Sequence, residues 1–189
     1  MDRPLSTLTG LLTLPGHCAV AQHWLTLYRA GGNRVPALRD LDPLQFPAAL
    51  PDIWIVNHDP DGRFRFHLLG QNMIDWHGSN PKGLSLEDIY TPEMLPVVTA
   101  LLRGVIERPA ICYQQAQSMT RNRSLPVPIE RIALPLANAE GNIRHLFGVT
   151  VFKTNEGHGD GPLRTEIQLD AWYPVADAEI AVAAGMAPA

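Results

Sequence analysis

Two hydrophobic periods alternate along this 189-residue chain, and their order leaves few folds open. A two-residue period typical of strands marks 53–58 and 63–69, joined by the tight-turn sequence Asp59-Pro60-Asp61-Gly62. It returns at 111–119, 129–136 and 143–152, the last two linked by Ala137-Asn138-Ala139-Glu140-Gly141-Asn142, a hairpin loop with the expected Asn and Gly. Between these groups the period is helical. Two short helices are expected at 71–77 and 85–89, and a long one from Thr91, its cap, to 107, with Leu95, Val98, Leu101, Leu102 and Val105 facing inward. Strands at both ends of a helical middle predict an antiparallel sheet with helices packed on one face, an α+β fold. Within 63–69, Phe64, Phe66 and Leu68 share one face while Arg63, Arg65 and His67 share the other, so the aromatic face is expected in the core.

A further helix is expected at 16–30, with Val20, Trp24, Leu27 and Tyr28 on one stripe and Gly31-Gly32 as its stop. That stripe needs burial, either in a homodimer or across the outer face of the sheet. Asp42-Pro43 starts a short turn at 44–49. Past residue 154 the pattern fades into the glycine-rich stretch 157–161, beyond which only a short strand at 167–169 and a helix at 177–184 are suggested. The expected organisation is an N-terminal helical extension at 1–34, a domain at 35–153 and a C-terminal tail at 154–189.

Charge and cysteine usage exclude several functions. A net charge of −4 and a pI near 5.9 leave no basic excess to neutralise nucleic-acid phosphates or to hold an anionic membrane surface. No apolar run of about 18 residues exists to span a bilayer. Arg3, the leucines of 8–14 and Ala19-Val20-Ala21 imitate an export signal, but Thr9, Gly10 and Thr13 interrupt the apolar run and Pro15 closes it. With Cys18 and Cys112 in no ligand or redox spacing, the chain reads as cytoplasmic.

Several short stretches together resemble a bacterial PAS-like family often found as stand-alone domains in proteobacteria. They are Trp24 with Tyr28-Arg29-Ala30-Gly31-Gly32, Pro36-Ala37-Leu38-Arg39-Asp40-Leu41-Asp42-Pro43, and Leu50-Pro51-Asp52-Ile53. Arg63-Phe64-Arg65-Phe66 with Leu69-Gly70, the linker 78–83, and Glu130-Arg131 with Leu134-Pro135-Leu136 continue the match over about 24–152. The resemblance implies a five-stranded antiparallel sheet in the order 2-1-5-4-3. It also implies a sensory or regulatory role in signal transduction through a protein partner or a small ligand held between sheet and helices.

The titratable residues offer no catalytic group. His17 and His23 are six apart, about 240° around a helix, and the other histidines lack zinc spacing, so no metal site is expected. Cys18 follows His17 directly, but helix neighbours point about 100° apart and make no base–nucleophile pair. Cys112 is expected as a small buried side chain, Asp59 and Asp61 belong to a turn, and Glu130 is expected to pair with neighbouring arginines. The long helix has no histidine for haem, the chain has no flavin-type Asn-Cys-Arg-Phe stretch, and no cofactor is assigned. The residues that suggest a ligand cavity are Trp54, Phe66, Trp76 and Phe147, which equally suit a packed core. His77, Gln114 and His145 are the polar candidates, His77 having the alternative role of a helix C-terminal cation. A small-molecule enzyme or carrier built around the same cavity is the competing function.

Overall fold

The computed structural model describes residues 2–119, 127–153 and 164–175. After a turn of 3₁₀ helix at Leu5–Thr7 come α1 (Leu8–Leu11) and α2 (Pro15–Ala30), then 3₁₀ turns at Leu38–Asp40, Pro43–Gln45 and Pro47–Asp52. Strands β1 (Ile53–His58) and β2 (Phe64–Leu69) are followed by α3 (Gln71–His77), α4 (Leu86–Ile89) and α5 (Leu95–Glu107). Strands β3 (Ala110–Met119), β4 (Val127–Ala137), β5 (Ile143–Phe152) and β6 (Arg164–Pro174) complete the order. The strands form one sheet in the order β2-β1-β5-β4-β3-β6, antiparallel throughout. No helix among the described residues is long and apolar enough to cross a membrane.

The sheet thus has the expected order of five strands plus a sixth. Where the sequence suggests only a short strand at 167–169, β6 runs for 11 residues along β3. A bulge at Gln168 explains the difference: Gln115 faces Leu169 while Ala116 faces Ile167, so the alternation that marks a strand reverses midway. The helix suggested at 177–184 lies outside the described residues.

A second bulge corrects the reading of β2. Ile55 pairs with Leu68 and Val56 with Phe66, leaving His67 as the extra residue. Phe64 and Phe66 are buried as expected, but beyond the bulge the faces exchange: Leu68 is 40% exposed and Leu69 packs inward instead. The hairpin turn is closed by Gly62, whose φ of 82° suits a residue without Cβ, and Asp59 and Asp61 pair with Arg65 at 2.8 and 3.2 Å.

Both faces of the sheet are covered. On one lies α2, where Pro15 fits the first turn and the amide of Gly31 closes the last turn on the carbonyl of Leu27. Val20, Ala21, Trp24, Leu25 and Tyr28 are buried against Ile55, Ile132, Leu134, Phe147 and Val149. The Trp24 indole N–H donates to the Pro135 carbonyl at 2.9 Å. The stripe is therefore buried within the chain, with Leu25 in the place expected for Leu27, which is half-buried. Burying one such aromatic side chain is worth about 2–3 kcal/mol, so α2 is part of the core.

On the opposite face α3, α4 and α5 cover Trp54, Val56, Phe64, Phe66, Cys112, Ala133 and Leu146. Helix α5 begins at Leu95, later than expected, because Pro96 fits only in a first turn. Thr91 acts through its carbonyl, which accepts from the amides of Met94 and Leu95, and not as a side-chain cap.

Candidate functional site

The space between the sheet and α3–α5 is the candidate site, and backbone geometry shapes it. In the centre of β5, Gly148 lies opposite Trp54 of β1; a Cβ there would come within 2.1 Å of the Trp54 indole. The missing side chain lets the ring lie flat across the neighbouring strand, where its N–H donates to Thr150 Oγ1 at 2.9 Å. Thr150 Oγ1 also accepts from Arg131 Nε of β4 at 3.2 Å. Trp54, Thr150 and Arg131, from three adjacent strands, form the floor. Met73, Leu86, Tyr90, Val98, Leu101 and Leu102 supply the helical wall. What remains between them is a cavity of about 30 Å³, roughly the space of one water molecule.

Arg131 is the single cation of this lining. Burial lowers its pKa, and Tyr90 and Cys112 are the groups that counter this effect. No carboxylate among the described residues lies within ion-pair distance of it. Burial raises the Tyr90 hydroxyl pKa, opposed by Arg131. A wider surface groove of about 550 Å³ lies where α5 ends against Trp172 and Pro174, with Asp2 and Arg108 in its lining.

Of the sequence candidates, Trp54 and Phe66 line the cavity. His77, at the end of α3, stands between Phe66 and Tyr90, with ring centroids 5.7 and 6.2 Å away. Its Nε2 is buried without a hydrogen-bond partner, and burial first, then the charge of Arg131, lowers its pKa to about 4. His77 is therefore neutral at pH 7, which corrects the alternative of a helix C-terminal cation. Trp76 is buried by stacking on Phe152 at 3.8 Å, outside the lining. Gln114 donates to Asp170 at 3.1 Å and lines a crevice on the outer side of Arg131.

Phe147 and His145 are not brought to this cavity. Phe147 packs on Phe46 beneath α2, and His145 Nδ1 lies 2.8 Å from Asn57 Oδ1. Strand alternation accounts for this, since Leu146 is the residue of that stretch turned to the helical layer.

The same alternation hides Arg131 and Thr150 from a sequence reading. Glu130 and Arg131 are neighbours that point to opposite faces, so the expected pairing of Glu130 with arginines does not form. Glu130 instead accepts from the Tyr113 hydroxyl at 3.0 Å and pairs with Lys153 on the α2 face. There His17, fully buried, has both ring nitrogens unpaired, with Nδ1 3.9 Å from Glu130 Oε2. Burial lowers its pKa to about 4, with Glu130 acting in the other direction. The available signal for the cavity was alternation along β4, which places Arg131 on the face opposite Glu130.

Burial raises the Cys112 thiol, Asp170 adding to the effect, so Cys112 is no thiolate at neutral pH. Among the described residues no group of three or more His, Cys, Asp or Glu side chains is placed to hold a metal ion; His158 lies outside them.

Solved structures similar to this chain include the PAS domain of BvgS from Bordetella pertussis, with 15% identity over 61% of this chain and 90% of that one, at a TM-score of 0.40. A PAS domain from Colwellia psychrerythraea shares 16% identity over 61% and 100%, at 0.40. The Rhodobacter sphaeroides LOV protein shares 13% over 62% and 71%, at 0.41. No curated protein sequence matches the chain. The family described as PAS domain matches residues 13–151, which take in α2, the helical layer and the first five strands, and the chain belongs to that family.

Proposed function

We propose that this chain is a non-catalytic sensory PAS domain that takes a small ligand into the cavity between the sheet and α3–α5 and acts on a protein partner. The observation carrying this reading is the lining itself: apolar walls around a few convergent polar groups, Arg131, Thr150 and Tyr90, as in small-molecule sites. The non-catalytic part is supported by the state of the nucleophile candidates. Burial keeps Cys112 protonated, and Cys18 donates to the Leu12 carbonyl at 3.4 Å. Two free thiols agree with action in a reducing cytoplasm. Self-association as a homodimer is assigned to surfaces other than the stripe of α2, which the chain itself buries. Native mass spectrometry of the purified protein tests the reading: a stoichiometric adduct below about 500 Da, displaced by Trp54→Ala, supports it. Catalytic turnover of the bound molecule would favour the enzyme class instead.

A further inference from the structure

Resting on the ligand reading above, we infer that the ligand is a small organic monoanion, a short-chain carboxylate, whose carboxylate is held by Arg131. The charge balance of the cavity is the first argument. Elsewhere Arg65 pairs with Asp59 and Asp61, and Arg103 with Glu107. Arg131 is half-buried, and among the described residues only its Nε is engaged, by a neutral hydroxyl. Asp170 on β6 is occupied by Gln114, Cys112 and Trp172. A partly desolvated cation without a counter-charge still carries a cost, and an anion entering the cavity offsets it.

The hydrogen-bond inventory is the second argument. Thr150 Oγ1 already accepts two bonds, from Trp54 and Arg131, so its remaining capacity is its own O–H. The Tyr90 hydroxyl in the wall can donate, and the Arg131 Nη groups are donors only. The cavity therefore presents an excess of donors. A carboxylate, with two acceptor oxygens, matches the guanidinium fork and a flanking hydroxyl.

Charge and size narrow the class. His77 is neutral at pH 7, so among the described residues of the lining Arg131 supplies the positive charge, and a monoanion leaves the site neutral where a dianion such as phosphate would not. Around the polar end Trp54, Val56, Met73 and Leu101 form a wall suited to an alkyl group. With about 30 Å³ free, a ligand of about two to four carbons fits once Met73, a flexible side chain, turns aside. Arg131 also borders the outer crevice formed with Met94, Val97, Gln114 and Ile167, which provides a route from solvent to the guanidinium.

The test is thermal unfolding of the full chain at constant ionic strength with acetate, propionate or butyrate, against the neutral amides acetamide, propionamide and butyramide. At about 100 times Kd a carboxylate is expected to raise Tm by about 5–10 °C, and the amides are expected to leave it unchanged. Arg131→Met abolishes the shift while its own Tm stays close to that of the parent, because methionine in place of a half-buried cation relieves its partial desolvation. Should that variant fail to fold, Arg131→Lys keeps the charge, loses the fork and weakens butyrate binding about tenfold. A shift that survives Arg131→Met, or amides as effective as carboxylates, overturns the anion while leaving a ligand cavity in place. No shift with any carboxylate overturns the anion as well. If native mass spectrometry then also finds no bound molecule, the ligand reading falls with it.

Discussion

Acidification from pH 7 to pH 5 should weaken this protein well before its carboxylates titrate, because two histidines are buried in the neutral form. His17 beneath α2 and His77 beside the cavity both have pKa values of about 4 in the fold against 6.5 in an open chain. Between those values the unfolded chain binds more protons than the folded one, so stability falls as pH falls. The contribution is intact above about pH 6.5 and reaches its full loss below about pH 4. Going from pH 7 to pH 5, each histidine accounts for about 2 kcal/mol and the pair for about 4, a large share of a typical domain's stability. Partial burial lowers His23, His58 and His145 too, in the same direction, while the raised pKa of Asp52 opposes them. Single variants isolate each site from these shared terms. Urea unfolding at pH 7 and pH 5 should show His17→Leu and His77→Phe each removing about 2 kcal/mol of the pH dependence. An unchanged pH dependence in either variant would refute the burial argument for that residue.

Gly148→Ala should cost about 1–3 kcal/mol or more by urea unfolding and alter tryptophan fluorescence, since its Cβ would lie 2.1 Å from the Trp54 ring; parental stability would show that the ring lies elsewhere. Thr150→Val removes the acceptor shared by Trp54 and Arg131 and should cost about 1–3 kcal/mol, again by urea unfolding. Deleting the residues before Gly31 exposes Ile132, Leu134, Phe147 and Val149 and should give an unfolded or aggregated chain by circular dichroism and light scattering. A soluble, folded truncation would mean that α2 is dispensable to the core.

The fold was largely legible in the sequence because most elements obey one period at a time. Helix α2 carries its apolar residues three and four apart and ends at glycine, and β1 and β2 are joined by a turn whose glycine has the expected positive φ. What was misread follows from single extra residues. At His67 the period-two pattern is interrupted, so Leu68 is exposed although it continues the count from Phe66. At Gln168 the same interruption splits β6 into two half-strands of opposite phase, each too short to read as a strand. A bulge makes no demand on composition that a sequence must display, since either side chain can be the extra one.

The candidate site was less legible than the fold because its parts meet only across strands. Trp54, Thr150 and Arg131 are separated by 19 to 96 positions where they bond, and their convergence depends on the register of β1, β5 and β4. Aromatic residues are visible as bulky and apolar wherever they fall, which explains why Trp54 and Phe66 were found together with Phe147, which faces the other core. Alternation separates them: Trp54 and Val56 face the cavity side and Ile53 and Ile55 the α2 side. Applied to β4, the same rule sends Glu130 toward His17 and Lys153, and Arg131 toward Thr150. Two adjacent residues of opposite charge are thereby placed in separate cores. The carboxylate is satisfied in its core by Tyr113 and Lys153, while among the described residues the guanidinium has a single neutral acceptor. That asymmetry, set by one step along a strand, is what gives the cavity its positive charge.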